Sequence, residues 1–495
     1  MNEAHLQNLE EKGISRRTVL KAGAAGLGAL AVGALPVRAA AAGQPRIAVV
    51  GAGIAGLNAA WYLNRAGLRA TVYEGSNRVG GRIWTRRGIM GPQLTTELGA
   101  EMIDSGHEEM LRLARRFGLG LLDAEAPSER RLTKSFYFRG RRWTEHEVVK
   151  AFRPIAATLA NDQNSVEFDS HTKYNQRAFD IDHTPLSRYL VNIGATGFIR
   201  ELLNVAYLTE YGAETSVQSA LNLVFLIGTE TKNGFNEFGD SDQRYTVVGG
   251  ADQITSAIAR HLRDPVRLGH KLVAIGPDGA GYKLTFRQPS GAYKDVRTDY
   301  LLLTLPFSTL REVDISVSLP TVLRNYIDQC VYGTNSKLVL GFDRRYWRDR
   351  GDNGLFFTDL PIQSGWDSSR LQPGRQASLT IYTGGQRGIE MARGSAQHQR
   401  DLAMRSVNQV FPGANRYRNG KVARFAWPEY KWSKGSYSCF TTGQYTAFSG
   451  AAVPTGRMFF AGEHTSFDYQ GYMEGGAVTG KEAAKAIGSA VRRSS

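Results

Sequence analysis

Six residues, Gly51-Ala52-Gly53-Ile54-Ala55-Gly56, set three glycines at a spacing that suits one task, holding a pyrophosphate. Gly51 permits a tight turn, Gly53 lets the backbone approach a phosphate, and Gly56 lets a helix pack close on a strand. Ala55 lies in the first helical turn, whose free N–H groups and positive dipole end attract anions. Glu74, further along, is a carboxylate able to accept hydrogen bonds from ribose hydroxyls. A glycine pattern alone is weakly specific, so the elements around it decide. Arg46–Val50 is a short β-branched apolar run that reads as a buried parallel strand, and Leu57–Arg65 continues with helical periodicity. Ala70–Tyr73 reads as a second strand and ends at Glu74. Strand, glycines, helix, strand and acid arrive in the order of a dinucleotide site.

Arg78-Val79-Gly80-Gly81-Arg82 follows directly. Two glycines between arginines let a turn pass close under a charged cofactor, with Arg82 within reach of a phosphate. From Glu74 to Arg82 the chain resembles the flavin amine oxidases, the family of monoamine, polyamine and L-amino-acid oxidases. The resemblance implies FAD rather than NAD. It extends over most of residues 45–492, and residues 107–242, helical in pattern, carry no matching motif.

Several later segments fit the same resemblance. Tyr245–Gln253 precedes an amphipathic helix ending near Leu262, Val266–Leu268 and Lys271–Val273 read as strands, and Leu272 would lie near the adenine. Leu301–Leu305, closed by Pro306, reads as another buried strand. Lys337, inside the alternating run Ser336–Phe342 and followed by Tyr346-Trp347, stands where similar oxidases hold a water against flavin N5. Gly456–Glu463 reads as a strand and turn, and Gly471–Val478 opens a helix running to about Val491. By the resemblance, Glu463 meets the ribityl or phosphate region, while Gly462, Gly471, Tyr472 and Met473 border the flavin. His464 and Thr465 read as packing residues. Trp427 and the segment from Trp432 to Tyr437 resemble the strand that lines the substrate face, with Trp432 against the cofactor. Tyr437 and Tyr472 match the two rings of the family's aromatic cage, which holds an uncharged amine before the flavin. Monoamine oxidases carry a flavin-linked cysteine one residue before the first cage ring. Ser436 stands there in this chain, so FAD is expected to be held noncovalently.

The expected chemistry is removal of a hydride equivalent from an amine-bearing carbon, with the imine hydrolysing to an aldehyde or keto acid. Oxygen, giving peroxide, or another acceptor then takes the electrons. L-Amino-acid oxidases place an arginine after the first FAD segment to grip the α-carboxylate, and the matching position is Met102. Glu101 and Asp104 suggest instead a cationic group, as in a polyamine, a primary amine or a basic L-amino acid. Both acids could equally cap a helix beginning near His107. An arginine- or lysine-type dehydrogenase passing electrons to a quinone-like acceptor is the alternative. The cage tyrosines speak against a carbon–carbon desaturase, and a disulfide reductase would need a CxxxxC pair that is absent. The last alternative is an exported, non-enzymatic protein that binds anionic surfaces.

A chain of 495 residues exceeds one simple core. The expected fold is α/β. A Rossmann-like FAD-binding domain is assembled from residues 43–106, 243–305 and 451–495, and a mixed-sheet and helical substrate domain from 107–242 and 306–450. Lys and Arg total 61 against 46 Asp and Glu, a formal charge of +15, but the charges are scattered and no nucleic-acid module accompanies them. The densest run, from Arg130 to Arg142 with Phe136, Tyr137 and Phe138 among the bases, reads as a solvated loop or hairpin. Cys330 and Cys439 lie far apart with no metal-ligand spacing, which points to two thiols and no metal site, with a disulfide between them left open. Ser15-Arg16-Arg17-Thr18-Val19-Leu20-Lys21, a mild apolar stretch from Ala22 to Val37 and the small residues Ala39–Ala42 resemble a twin-arginine export signal over residues 1–42, with Val19 where phenylalanine is usual. That implies a periplasmic or extracellular protein. No membrane segment is expected in the mature chain, and the oligomeric state stays open, a homodimer included.

Overall fold

The computed structural model describes residues 44–494, so the twin-arginine segment lies outside the described residues. All four side chains of Ile47–Val50 are buried, as a strand covered on both faces requires. This strand pairs in parallel with Ala70–Tyr73 on one side and Tyr300–Leu303 on the other, and Met458–Phe460 adds a fourth parallel strand beyond. The pleat sorts its residues between two cores. Ile47 and Val49 join a cluster with Leu57 and Ile487, from the helices Ile54–Arg65 and Met473–Ser494. Ala48 and Val50 join another with Leu272, Ile275 and Phe286. Those last residues belong to an antiparallel sheet of Lys271–Asp278, Gly281–Arg287 and Tyr293–Thr298. Val266–Leu268 is not a strand: Arg267 makes a single bridge to Tyr73, and Gly269 at φ +69° turns the chain at once.

The two helices touch backbone to backbone. A methyl group on Gly480 would stand 2.2 Å from the Ala55 carbonyl oxygen, and one on Gly476 2.8 Å from Ile54 Cγ2. This close crossing brings both helix N-termini to the carboxyl ends of the parallel strands, where such sheets bind ligands.

A mixed seven-stranded sheet occupies much of the remaining chain. Its order is Arg418–Ala426, Ser336–Phe342, Ala377–Thr383, Ser364–Asp367, Asp352–Thr358, Thr133–Phe138, Arg141–Trp143. Ser336–Phe342, buried throughout, is thus an interior strand and sets Lys337 inside the protein. The basic run forms the hairpin at the far edge. Phe136 and Phe138 face the core, while Arg139 pairs with Glu201 at 2.8 Å and Arg141 with Glu147 at 3.0 Å. Helices Glu145–Ser165, Gly197–Tyr211 and Leu221–Leu226 supply much of the apolar cluster beside this sheet. Among the described residues no helix is long and apolar enough to cross a membrane. Both thiols are free and buried, and burial pushes that of Cys439 up to about 12.

Candidate active site

A cavity of about 320 Å³ starts at the carboxyl ends of the parallel strands and continues to the face of the seven-stranded sheet. Gly51, Gly53, Ala55, Glu74, Gly81 and Arg82 line its beginning. A Cβ on Gly53 would meet nothing within 4 Å, so that glycine opens on free space at a helix N-terminus. Gly56 lies behind the wall. Its Cβ would stand 2.0 Å from the Gly51 carbonyl oxygen, so it sets the contact between helix and turn. Glu74 accepts from the N–H groups of Ala52 at 2.9 Å and Ser76 at 2.8 Å, which fixes the carboxylate while it still faces the cavity. The two arginines of the glycine turn divide the work. Arg78 donates to the carbonyls of Val79 and Ile83 and stacks 4.1 Å over Trp84, stapling the loop. Arg82 reaches the cavity.

Arg82 joins the two ends of the chain. Its Nη1 donates to Glu463 Oε1 at 2.6 Å and to the Ser436 carbonyl at 2.9 Å. Glu463 also accepts from the Ser438 hydroxyl at 2.8 Å and the Gly471 N–H at 2.9 Å. Burial alone would raise this carboxyl, but the Arg82 charge and these hydrogen bonds hold it below its ordinary range. His464 beside it is buried away from the cavity, and burial pushes it down to about 4, a neutral packing residue. Gly462, Gly471, Met473 and Gly476 line the wall around Glu463, and Leu272 and Trp432 line the wall beside Gly75 and Ser76. The segment from Trp432 to Tyr437 is a run of turns and not a strand. Gly75 explains its closeness, since a Cβ there would meet Trp432 Cζ3 at 2.4 Å.

Tyr437 and Tyr472 both line the far end of the cavity. The Tyr437 and Tyr382 hydroxyls are 2.9 Å apart, and Tyr437 also donates to the Glu210 carbonyl. The Tyr472 hydroxyl donates to Glu210 Oε1 at 3.2 Å. Burial raises both cage phenols well above their ordinary value, so they stay neutral. Lys337 lines the same end, yet its ammonium donates to the carbonyls of Glu97 at 3.2 Å and Gly99 at 2.8 Å and to Glu101 Oε2 at 2.9 Å. Its three N–H groups are therefore met within the protein, and a water at Lys337 needs one of these contacts to yield.

That pairing bears on the acids expected to meet a cation. Glu101 does line the cavity, but its charge is matched by Lys337. Asp104 does not line it: its Oδ1 accepts from the Gln243 N–H at 3.0 Å and its Oδ2 lies 3.3 Å from His107 Nε2. Nor do these acids cap the helix Glu108–Arg116. The cap comes from Glu474, whose oxygens accept from the Glu109 and Met110 N–H groups, each at 2.8 Å. Met102 sits on a wall shared with a second cavity of about 140 Å³. Sequence reasoning missed Glu210. A signal existed: it is a lone acid in the last turn of the apolar helix Gly197–Tyr211, where the helix dipole disfavours an anion.

A family model described as flavin containing amine oxidoreductase matches residues 54–488. The chain is similar to an L-amino acid dehydrogenase of Synechocystis sp., 24% identical over 460 residues, which cover 89% of this chain and 94% of that protein. It is similar to the flavin-dependent L-tryptophan oxidase RebO of Lentzea aerocolonigenes, 27% identical over 457 residues, which cover 86% and 94%. Among solved structures, cyclohexylamine oxidase from Brevibacterium oxydans IH-35A superposes with a TM-score of 0.80 at 22% identity, covering 91% of this chain and 100% of that one.

Proposed function

Because the chain belongs to the flavin-containing amine oxidoreductase family, we propose that it oxidatively deaminates a small cationic amine lacking an α-carboxylate, to an imine and then an aldehyde. The observation that supports this reading is the distribution of charge along the cavity. Arg82 is matched by Glu463 and Lys337 by Glu101, so no unpaired cation among the described lining residues is placed at the tyrosine end to grip a carboxylate. The residues fit FAD: Gly53 opens on space where a pyrophosphate would lie, and Glu74 is poised for a ribose. Gly462, Gly471 and Met473 give a close backbone wall. FAD, when bound, accepts the hydride equivalent and passes the electrons on, to oxygen in this reading, giving peroxide.

The chain supplies position and environment. Tyr437 and Tyr472, neutral and cross-linked through Glu210, hold the amine between rings. The cavity wall is mostly apolar, which disfavours water beside the imine before release. Ser436 donates to Asn335 Oδ1 at 2.6 Å, and neither cysteine lines the cavity, which supports noncovalent attachment of FAD. Residues 1–42 we read as a twin-arginine address, consistent with export of the folded, loaded protein.

A second reading, an L-amino-acid dehydrogenase with a quinone-like acceptor, is favoured by similarity to an L-amino acid dehydrogenase over 89% of this chain. The separating experiment is anaerobic bleaching of the flavin by primary amines, polyamines, and neutral and basic L-amino acids. Bleaching by decarboxylated amines is expected. Bleaching by amino acids alone would overturn the first reading in favour of the second. Peroxide formation under air, against reduction of an added quinone, assigns the acceptor.

A further inference from the structure

We infer that Glu210 binds the substrate's ammonium group in front of the tyrosine pair and takes one of its protons. This rests on the reading of the site as an amine oxidase. Substrate amines reach neutral solution as ammonium ions, while hydride removal needs the free nitrogen lone pair, so one N–H proton must leave inside the cavity. Glu210 is placed for that transfer. Its carboxylate lines the cavity and touches the Tyr472 hydroxyl at 3.2 Å, while its own carbonyl accepts from Tyr437, so one residue joins both rings.

Glu210 also stands apart among the acids that line the cavity. Glu101, Glu312 and Glu463 each have a lysine or arginine within 4.0 Å and Glu74 accepts from two backbone N–H groups, whereas Glu210 is in no ion pair among the described residues. Its surroundings favour a cation. The negative end of the helix Gly197–Tyr211 lies at it. Tyr437, Tyr382 and Tyr472 face it as neutral phenols, with Tyr207 and Tyr211 on its own helix. Asp104 and Glu237 add negative field from further off, each beside its own partner, His107 and Lys134. Burial first, and those two acids second, push the Glu210 carboxyl up to about 7, against the pull of the Tyr472 hydrogen bond.

In the transfer an N–H bond of the ammonium breaks and an O–H bond forms on Glu210. The electron pair stays on nitrogen and nothing is oxidised. A carboxyl near 7 is matched to accept a proton in neutral medium and return it to solvent afterwards. The step precedes hydride removal and is independent of which acceptor later reoxidises the cofactor.

The test uses the flavin-loaded protein and two readouts. The first is binding of tert-butylammonium, which has no hydrogen on the nitrogen-bearing carbon and cannot be oxidised, followed by its perturbation of the flavin visible band. Wild-type affinity should rise as pH climbs through about 7, where Glu210 ionises. E210Q, which keeps an acceptor for Tyr472, should bind about 10- to 100-fold more weakly and lose that pH dependence. The second readout is kcat/KM against pH for an oxidisable amine. Wild type should show an acid limb from Glu210 and a basic limb from loss of the ammonium form. E210Q should instead climb with the neutral amine up to the amine's own pKa, and E210D should restore the acid limb in part. Wild-type affinity that is flat across neutral pH, or an E210Q profile with the acid limb intact, overturns the proposal alone. A wild-type flavin that no amine bleaches overturns the amine-oxidase reading and the proposal together.

Discussion

At the scale of single residues, glycines 53 and 56 separate cofactor space from packing. A Cβ on Gly53 meets open space, whereas one on Gly56 would sit 2.0 Å from the Gly51 carbonyl oxygen. Gly53→Val should therefore fold with an unchanged melting midpoint in the flavin-free form, yet lose flavin by about 10-fold or more in the absorbance ratio, because its side chain fills the anion-binding end of the helix. Gly56→Ala should lower the midpoint of the flavin-free protein itself, by an overpacking cost of about 1–3 kcal/mol. Lys337 offers a second contrast. It and Glu101 are both buried and bonded at 2.9 Å. K337M leaves a buried carboxylate without its cation and should cost about 3–5 kcal/mol in denaturant melts, and K337M combined with E101Q should recover most of it. A single variant as stable as the double would show that Glu101 finds another partner.

At the scale of elements, three helices are tied by two acids. Glu474 caps the helix Glu108–Arg116 from the helix Met473–Ser494. Glu109 then binds Asn58 Nδ2 at 3.0 Å, Arg112 Nε at 2.9 Å and Lys481 Nζ at 3.0 Å, so all three helices meet on one carboxylate. Burial would raise that carboxyl, but Arg112, Asn58 and Lys481 outweigh it and bring it down to about 2 from 4.5. A depressed pKa means stability that is present above pH 4.5 and drains as pH falls toward about 2. By roughly 1.4 kcal/mol per pKa unit, up to about 3 kcal/mol should be lost across that window. E109Q should be less stable at neutral pH and flatten the acid limb between pH 4.5 and about 2 in urea melts. An unchanged limb would assign acid sensitivity to other carboxylates. These ties show why part of the site was legible in the sequence and part was not. Gly51–Gly56 and Glu74 act within one local strand–turn–helix–strand unit, so their spacing speaks for itself. Glu474 and Glu210 act across contacts more than two hundred residues apart in the chain. The loop from Trp432 to Tyr437 was misread as a strand because its apolar rings serve the cavity wall and not a sheet face. Lys337 was locatable, but its pairing with Glu101 joins separate segments and no periodicity announces it.

At the scale of the whole molecule, the parallel sheet draws strands from residues 47–50, 70–73, 300–303 and 458–460, and the second helix that opens at its carboxyl end runs from Met473 to Ser494. The Arg82–Glu463 pair likewise joins residues 381 positions apart. A cofactor site of this kind cannot close until nearly the entire chain has folded, because the last strand and helix complete the first. An unfolded-chain export route would therefore deliver a protein that has to find FAD outside the cytoplasm. A route that carries folded protein would deliver it loaded, and that is the physical reason to read Arg16-Arg17 as an address and not as part of a basic tail. Substituting both by lysine should leave the protein in the cytoplasm, yellow, soluble and with the same flavin-to-protein ratio, while the wild type appears outside with its flavin already bound. Because attachment is expected to be noncovalent, acid precipitation of either pool should release the flavin quantitatively to the supernatant. Export of the double-lysine variant at wild-type levels would sink the twin-arginine reading, and flavin that stays with the precipitate would sink the noncovalent one.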